Sequence, residues 1–290
     1  MKILVTGSSG MLGTDLCDVL ADGYDVVGMD IARGEGQFGK KFHEVDITEL
    51  ATVRKVIDTE HPDIIVHAAA WTDVDGCERE PDKAEKINVG GTRNVVQAAK
   101  KHQIPIILVS TDYVFDGRKT MPYTEDDAAG PISVYGRTKW ESEKVTRDEL
   151  SCYVIVRTSW LYGNHGKNFV DTIIEKGKTD EKLEVVDDQT ASPTYTRDLS
   201  VAIRKIIECG CADGQNIFHV SNSGQCSWYT FAKKIVTLKN INTEVIPISS
   251  KICGRQAERP RYSVLGNERF NELIGHQMRP WQEALEEYLG

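Results

Sequence analysis

The stretch from Lys2 to Gly13, KILVTGSSGMLG, joins a short β-branched run to a helix-like segment through closely spaced glycines. Gly7, Gly10 and Gly13 stand three residues apart, which gives Gly-x-x-Gly-x-x-Gly rather than Gly-x-Gly-x-x-Gly. In both patterns, glycines let the turn tighten and let the backbone approach a pyrophosphate at the helix N-terminus. The alternative to a pyrophosphate-binding turn is an ordinary glycine turn without a ligand. Because a strand precedes it and a helix follows, the stretch predicts the first βα unit of a dinucleotide-binding fold.

The ends of the next three apolar runs support that interpretation. Asp30 closes the run YDVVGMD, twenty residues after Gly10, where a carboxylate can accept hydrogen bonds from an adenosine ribose. Asp46 and Ile47 follow the third run and can meet an adenine edge. The fourth run ends in the small residues of HAAA, at 67–70, which would let a cofactor pass closely.

The spacing of the apolar runs predicts the fold class. Helix-like segments such as MLGTDLCDVLA alternate with apolar runs that include KILVT, YDVVGMD, DIIVHAA, IPIILVS and CYVIVRT. This alternation is typical of a parallel sheet covered by helices. After about Trp160 the rhythm loosens into loops rich in Gly, Asp and Thr. We predict an α/β protein with a Rossmann-type doubly wound parallel sheet. Residues 1–160 would mainly bind NAD(P), and residues 161–290 would mainly form a smaller substrate-binding region interleaved with the last elements of the sheet.

Composition excludes some classes of function. The chain has 290 residues, seven scattered cysteines and a formal net charge of −9, which disfavours nucleic-acid and acidic-membrane partners. The N-terminus runs directly into a strand, and no apolar stretch approaches the roughly 18 residues that a membrane helix needs. We therefore expect a soluble cytoplasmic protein with reduced thiols.

The acids of WTDVDGCERE suggest a cation site, but convergent ligands are not evident, and we predict no metal.

The segment SVYGRTK, residues 133–139, places Tyr135 and Lys139 one helical turn apart. On a helix the two side chains share a face, and a nearby ammonium would lower the pKa of the phenol from about 10 towards working pH. A tyrosine of this kind can act as a general acid. An amphipathic helix that merely carries both residues is the alternative reading of this motif alone.

Taken together, these motifs resemble a known family. The glycine turn, the Asp-Ile pair, the small residues after the fourth run and Tyr-x-x-x-Lys are similar to the extended short-chain dehydrogenase/reductases that act on nucleotide-linked sugars. More specific strings resemble the dTDP-4-dehydrorhamnose reductase family, and they occur in family order over nearly the whole chain: HAAAWTDVDGCE, STDYVFDG, VYGRTKWESE, RTSWLYG, NFV, DQTASPTYTRDL and RPRYSVL.

The resemblance implies a reaction and a set of roles. Tyr135 would donate a proton, Thr111 would hydrogen-bond the substrate carbonyl, and Lys139 would hold the nicotinamide ribose and lower the tyrosine pKa. The reaction would be NADH- or NADPH-dependent reduction of the C4 carbonyl of a dTDP-linked 4-keto-6-deoxy sugar, dTDP-4-dehydro-6-deoxy-L-mannose, to dTDP-L-rhamnose. The closing segment HQMRPWQEALEEYLG is interpreted as an amphipathic helix that could join a homodimer contact, with monomer or dimer left open.

The same resemblance implies the binding residues. The cofactor-binding residues would be Gly7, Gly10, Met11, Leu12, Asp30, Asp46, Ile47, Ala68, Ala69, Ala70, Trp71, Thr72, Tyr135 and Lys139. The substrate-binding residues would be Thr72, Val74, Thr111, Asp112, Tyr135 and Trp160. Weaker candidates for the nucleotide end are Asn168, Phe169, Gln189 and Arg259.

Related activities remain as alternatives. Sugar-nucleotide 4,6-dehydratases carry a glutamate directly after the Thr-Asp pair, whereas Tyr113 follows Asp112 here, which argues against dehydration. A reductase or epimerase of another nucleotide-linked keto-sugar is the nearest alternative. A second alternative is a non-catalytic binding module similar to the regulatory β subunit of methionine adenosyltransferase.

Overall fold

A parallel sheet forms the centre of the protein in the computed structural model, which describes residues 1–34 and 41–290. The strands in these ranges are β1 Lys2–Thr6, β2 Asp25–Asp30, β3 Lys41–Glu44, β4 Ile64–His67, β5 Ile106–Thr111, β6 Tyr153–Thr158, β7 Leu161–Tyr162, β8 Lys182–Val186, β9 Thr190–Ala191, β10 Thr194–Tyr195, β11 Gln215–His219, β12 Cys226–Ser227 and β13 Glu244–Ile248.

Helices connect these strands. The α-helices are α1 Met11–Ala21, α2 Leu50–Glu60, α3 Val74–Arg79, α4 Pro81–Ala84, α5 Gly91–Lys101, α6 Val134–Glu149, α7 Phe169–Thr179, α8 Thr196–Glu208, α9 Trp228–Leu238, α10 Ser250–Cys253, α11 Glu268–Ile274 and α12 Trp281–Leu289. A π-helical turn covers Glu85–Gly90, and 3₁₀ turns cover Asp112–Val114 and Cys211–Asp213.

The central sheet has the order β11-β6-β5-β4-β1-β2-β3 among the described residues, with every pair parallel. The chain moves outward from β1 in one direction through β2 and β3, and in the other direction from β4 onward. This reversal creates a crevice at the carboxyl ends of β1 and β4, where doubly wound folds bind ligands. The predicted Rossmann-type α/β fold is confirmed.

Alternating side chains along the strands fill two apolar layers. Ile3 and Val5 of β1 pack on the side of the sheet covered by α1 and α8, whereas Leu4 packs on the opposite side with α2 and α5. Both faces are buried, which explains why the strands are almost continuously apolar. A third apolar cluster joins α7, α9 and α12, with Phe231 and Trp281 at its centre. The closing segment is therefore a helix packed on the second half of the chain.

The glycine turn shows why small residues are needed there. Gly7 has a φ of 70°, and a Cβ on it would lie 2.6 Å from the backbone nitrogen of Ala69. A Cβ on Gly13 would overlap the carbonyl oxygen of Gly7. Helix α1 can therefore begin directly against the end of β1, with its free N–H groups facing the crevice.

Strand β11 and helix α8 connect the two halves of the chain. β11 pairs with β6, so a segment from beyond residue 160 forms an edge of the central sheet. Helix α8 packs against α1 through the apolar layer that contains Leu199 and Ile203. No helix of residues 1–34 and 41–290 is long and apolar enough to cross a membrane.

Candidate active site

A cavity of about 810 Å³ opens at the carboxyl ends of the central strands. Its wall contains most of the residues that the sequence analysis assigned to cofactor or substrate: Gly7, Gly10, Met11, Leu12, Asp30, Asp46, Ile47, Ala68, Ala69, Ala70, Thr72, Val74, Thr111, Asp112, Tyr135, Lys139 and Trp160. The fold therefore gathers residues from distant parts of the chain around one space.

Asp30 is held at the start of this cavity by backbone donors. Its carboxylate accepts a hydrogen bond from the Ser9 backbone nitrogen at 2.9 Å and from the Ile31 nitrogen at 2.7 Å. The carboxylate is thereby fixed beside the glycine turn, and its remaining lone pairs are free to accept further hydroxyl donors. Arg33 lines the same part of the cavity and is exposed.

Helix α6 presents Tyr135 and Lys139 to the cavity, as the four-residue spacing predicts. The helix begins at Val134 because the Ser133 side chain accepts a hydrogen bond from the Gly136 nitrogen at 3.1 Å, an N-cap. A Cβ on Gly136 would overlap the Tyr113 carbonyl oxygen, so glycine lets the helix lie close to the end of β5. Tyr135 is thereby brought within hydrogen-bonding reach of Thr111.

Lys139 is buried and bonded to the neighbouring strand. Its ammonium donates a hydrogen bond to the carbonyl oxygen of Val109 at 2.8 Å. Burial lowers the pKa of Lys139 from its ordinary value to about 8. The side chain therefore changes charge closer to neutral pH than a surface lysine does.

The prediction that Lys139 lowers the pKa of Tyr135 is wrong for this arrangement of side chains. Burial is the largest effect on Tyr135 and raises its pKa, and the hydrogen bond with Thr111 only partly opposes it. The Asp112 carboxylate raises the pKa further, while the Lys139 ammonium points to the Val109 carbonyl. Tyr135 is consequently protonated at neutral pH, which is the state that a proton donor needs.

A buried carboxyl group lies beside Thr111. Asp112 accepts a hydrogen bond from the Thr111 hydroxyl at 3.0 Å and from the Ser263 hydroxyl at 2.5 Å. Burial raises the pKa of Asp112 to about 7, although both hydrogen bonds act to lower it. Asp112 thus orients the Thr111 side chain and links it to a segment from the C-terminal half.

The aromatic end of the cavity contains a residue that the sequence analysis missed. Trp228, at the start of α9, lines the cavity and stacks on Trp160 with ring centroids 3.5 Å apart and an interplanar angle of 9°. Trp160 has a φ of 45°, a conformation that is uncommon for a bulky residue. The pairing joins positions 68 residues apart (228 − 160), and no sequence pattern connects them.

Several predicted binding residues lie outside the cavity wall. Trp71 is held by hydrogen bonds of its backbone to the Asn88 side chain, and its indole packs beneath the Lys83 ammonium at 4.3 Å. Arg259 forms an ion pair with Asp75 at 2.8 Å rather than facing the cavity. The other three weaker candidates have structural partners: Asn168 caps α7, Gln189 bonds Ser250 and Phe169 packs on Trp228.

Two further polar side chains near the site have local partners as well. Asp73 caps α3 by accepting a hydrogen bond from the Gly76 nitrogen, and His67 shares hydrogen bonds with Thr6 and Thr92. Within residues 1–34 and 41–290, no group of three or more His, Cys, Asp or Glu side chains is arranged to hold a metal ion.

The fold, the glycine turn and the Thr111-Tyr135-Lys139 group together define a short-chain dehydrogenase/reductase. The family described as RmlD substrate binding domain matches residues 1–290, and the chain belongs to this family.

Relatives of known name cover almost all of the chain. It is 40% identical over 289 residues to the spore coat polysaccharide biosynthesis protein SpsK of Bacillus subtilis, covering 99% of this chain and 96% of the relative. It is 36% identical over 292 residues to the dTDP-4-dehydrorhamnose reductase of Sinorhizobium fredii, covering 98% and 95%. A crystal structure of dTDP-4-dehydrorhamnose reductase from Bacillus anthracis in complex with NADP superposes with a TM-score of 0.91 at 39% identity, covering 99% of this chain and 98% of that one.

Proposed function

We propose that the protein reduces the C4 carbonyl of dTDP-4-dehydro-6-deoxy-L-mannose with NADH or NADPH and so forms dTDP-L-rhamnose. The observation that carries this proposal is the meeting of Thr111, Tyr135 and Lys139 on the wall of the cavity that also contains the glycine turn. The relatives named as dTDP-4-dehydrorhamnose reductases support the choice of substrate.

The residues present fit a dinucleotide. A Cβ on Gly7 would collide with the Ala69 backbone, so glycine lets the turn lie close to the segment after β4, and Asp30 is fixed where ribose hydroxyls could donate to it. Gly10, Met11, Leu12, Asp46 and Ile47 would hold the adenosine and diphosphate, and Lys139 would hold the nicotinamide ribose. The bound cofactor supplies a hydride.

The protein's own groups would manage the proton. Thr111 donates its hydroxyl to Asp112 in this structure, and it could instead donate to a substrate carbonyl oxygen. Tyr135, protonated because burial raises its pKa, would transfer its phenolic proton to the same oxygen as negative charge develops there. The Tyr113 backbone N–H, which donates to the Thr111 hydroxyl oxygen at 3.2 Å, would keep Thr111 oriented through this change.

The substrate end would be formed by Thr72, Val74 and Trp160, with Trp228 behind Trp160. We infer that residues 1–160 mainly hold the cofactor and residues 161–290 mainly hold the sugar nucleotide, with β11 and α8 as the interleaved elements. A cytoplasmic location and a homodimer complete the proposal.

The decisive experiment is product identification. Purified protein is supplied with NADPH and either dTDP-4-dehydro-6-deoxy-L-mannose or dTDP-4-dehydro-6-deoxy-D-glucose, and the product is analysed by NMR. We expect dTDP-L-rhamnose from the first substrate and slower turnover of the second. Preferential reduction of the second substrate would contradict the assigned stereochemistry. Co-purification with a synthetase, with neither sugar reduced, would favour a binding module.

Asp30 leads to a prediction about cofactor choice. The carboxylate would accept ribose hydroxyls of NADH but repel the 2′-phosphate of NADPH, whereas Arg33 on the same wall could attract that phosphate. We therefore expect efficient use of NADH and tolerance of NADPH. Asp30→Ala should shift the ratio of kcat/KM values towards NADPH by about tenfold, the scale of a hydrogen bond to a charged group.

The control for this prediction is Asp25→Ala, which removes the same charge at the exposed opposite end of β2. The kcat/KM values with NADH and with NADPH are measured from NAD(P)H absorbance for the two variants and the unmutated protein. Strict NADPH dependence that Asp30→Ala leaves unchanged would show that Asp30 does not discriminate between the cofactors.

A further inference from the structure

Lys139 places its ammonium group where it is largely shielded from water. The residue is 4% exposed, and its ammonium donates to the Val109 carbonyl oxygen at 2.8 Å. A buried ammonium is costly unless an opposite charge lies nearby and its geometry is fixed. The groups around Lys139 therefore decide whether it keeps its proton.

Glu143 lies one helical turn beyond Lys139 on α6 and is completely buried. Its carboxylate accepts a hydrogen bond from the Ser110 hydroxyl at 2.5 Å, and bonds from Arg157 Nε at 3.0 Å and Nη2 at 2.7 Å. Ser110 directly follows Val109 on β5. Lys139 and Glu143 are thus attached to consecutive residues of the strand that ends at Thr111.

Arg157 fixes this carboxylate from the next strand. It lies opposite Ser110 in the register of β5 and β6, and its Nη1 is 3.4 Å from His219 Nε2. The His219 Nδ1 donates to the Tyr123 carbonyl at 3.0 Å. Burial, and next the Arg157 guanidinium, lower the pKa of His219 to about 3, so this ring is neutral.

Groups of several elements face Lys139. Tyr135 lies on the same helix as Lys139, and Asp112 directly follows β5. His67 of β4 is neutral because burial, and next the Lys139 ammonium, lower its pKa to about 3. Burial lowers the pKa of Lys139 itself, and the Glu143 carboxylate opposes that effect. Glu143 is therefore the anion that favours the charged form of Lys139.

We propose that Glu143 is a positioning residue for the reduction: its buried carboxylate, held by Arg157 and Ser110, keeps Lys139 charged and directed along β5. This inference rests on the proposed function. Glu143 is absent from the cavity wall, so it acts through Lys139.

The test compares Glu143→Gln with Glu141→Gln. Glu141 carries the same charge on the same helix, but its pair with Lys144 is at the surface. The dissociation constant of NADPH and kcat/KM are measured from about pH 6 to about pH 10, a range that includes the expected loss of the lysine proton. We expect Glu143→Gln to move the alkaline limb of both profiles to lower pH by about one unit, and Glu141→Gln to leave it in place.

The direction of the expected pH shift follows from the negative charge that Glu143→Gln removes. Without the Glu143 carboxylate the pKa of Lys139 falls further, so its ammonium is lost at lower pH and the ribose contact weakens earlier. Glu143→Asp keeps the charge and should return the limb towards its original position. A folded Glu143→Gln protein with an unshifted limb would overturn the proposal, because a purely structural residue would change stability without changing this midpoint.

Glu143→Gln leaves a buried guanidinium unpaired and could prevent folding. The double variant Glu143→Gln/Arg157→Met removes both charges and avoids that penalty. The alkaline limb should still move to lower pH, but by less than in Glu143→Gln, because loss of the Arg157 positive charge partly offsets loss of the nearer carboxylate. An unshifted limb here also overturns the proposal. NADPH binding is measured without sugar, so this test applies even if the unmutated protein reduces no keto-sugar. Absence of keto-sugar reduction would contradict the proposed function and not this inference.

Discussion

Tyr135→Phe should lower kcat by on the order of a hundredfold or more, the usual scale for a positioned general acid. The substitution removes only the hydroxyl that would protonate the substrate oxygen. The phenyl ring can keep its edge-to-face contact with Tyr113, whose ring centroid is 5.8 Å away. Thr111 can still donate to Asp112, so the fold and NADPH binding should be preserved.

The measurements for this variant are kcat and KM with the keto-sugar, the NADPH dissociation constant, and the melting temperature. Tyr113→Phe is the matched control, because it removes a hydroxyl from a neighbouring ring of the same cavity. We expect that control to lose less than about tenfold in kcat, since its hydroxyl would transfer no proton. Near-normal turnover of a folded Tyr135→Phe protein would refute Tyr135 as the proton donor.

Gly13→Ala should damage both the fold and cofactor use. An added Cβ would overlap the Gly7 carbonyl group and approach the Ser8 Cα, and these are backbone atoms that no rotamer change can move. The turn between β1 and α1 would have to open. We expect the free energy of unfolding to fall by about 1–3 kcal/mol. The kcat/KM for NADPH should fall on the order of a hundredfold, as expected for a misplacement near 1 Å.

Gly90→Ala is the control for this effect. Gly90 has helical φ and ψ of −62° and −46°, and an added Cβ would find its nearest atom, the Glu85 carbonyl oxygen, at 3.9 Å. Alanine there should be neutral or slightly stabilising because it restricts the unfolded chain. Chemical denaturation and NADPH titration compare the two variants. Equal behaviour would mean that Gly13 is not required by close packing.

Local patterns in the sequence were sufficient for the fold, and the family resemblance added most of the predicted residues of the cavity wall. The apolar runs marked strands because buried parallel strands must be apolar on both faces. The glycines marked the turn because no side chain fits between Gly7 and Gly13. The four-residue spacing placed Tyr135 and Lys139 on one helical face. Each of these signals depends on neighbours within a few residues, and the sheet brings the strand ends together as a consequence.

The tertiary structure alone decided which distant side chains pair and where charges lie. Arg259, a candidate for the nucleotide end, forms an ion pair with Asp75, a residue 184 positions away in the sequence. Trp228, at the start of α9, stacks on Trp160, which follows the end of β6 by two residues. The pKa of Tyr135 rises rather than falls because burial outweighs its polar partners and Lys139 is directed to Val109. Spacing in sequence determines which face a side chain occupies, whereas burial, charge state and long-range partners depend on the whole packed fold.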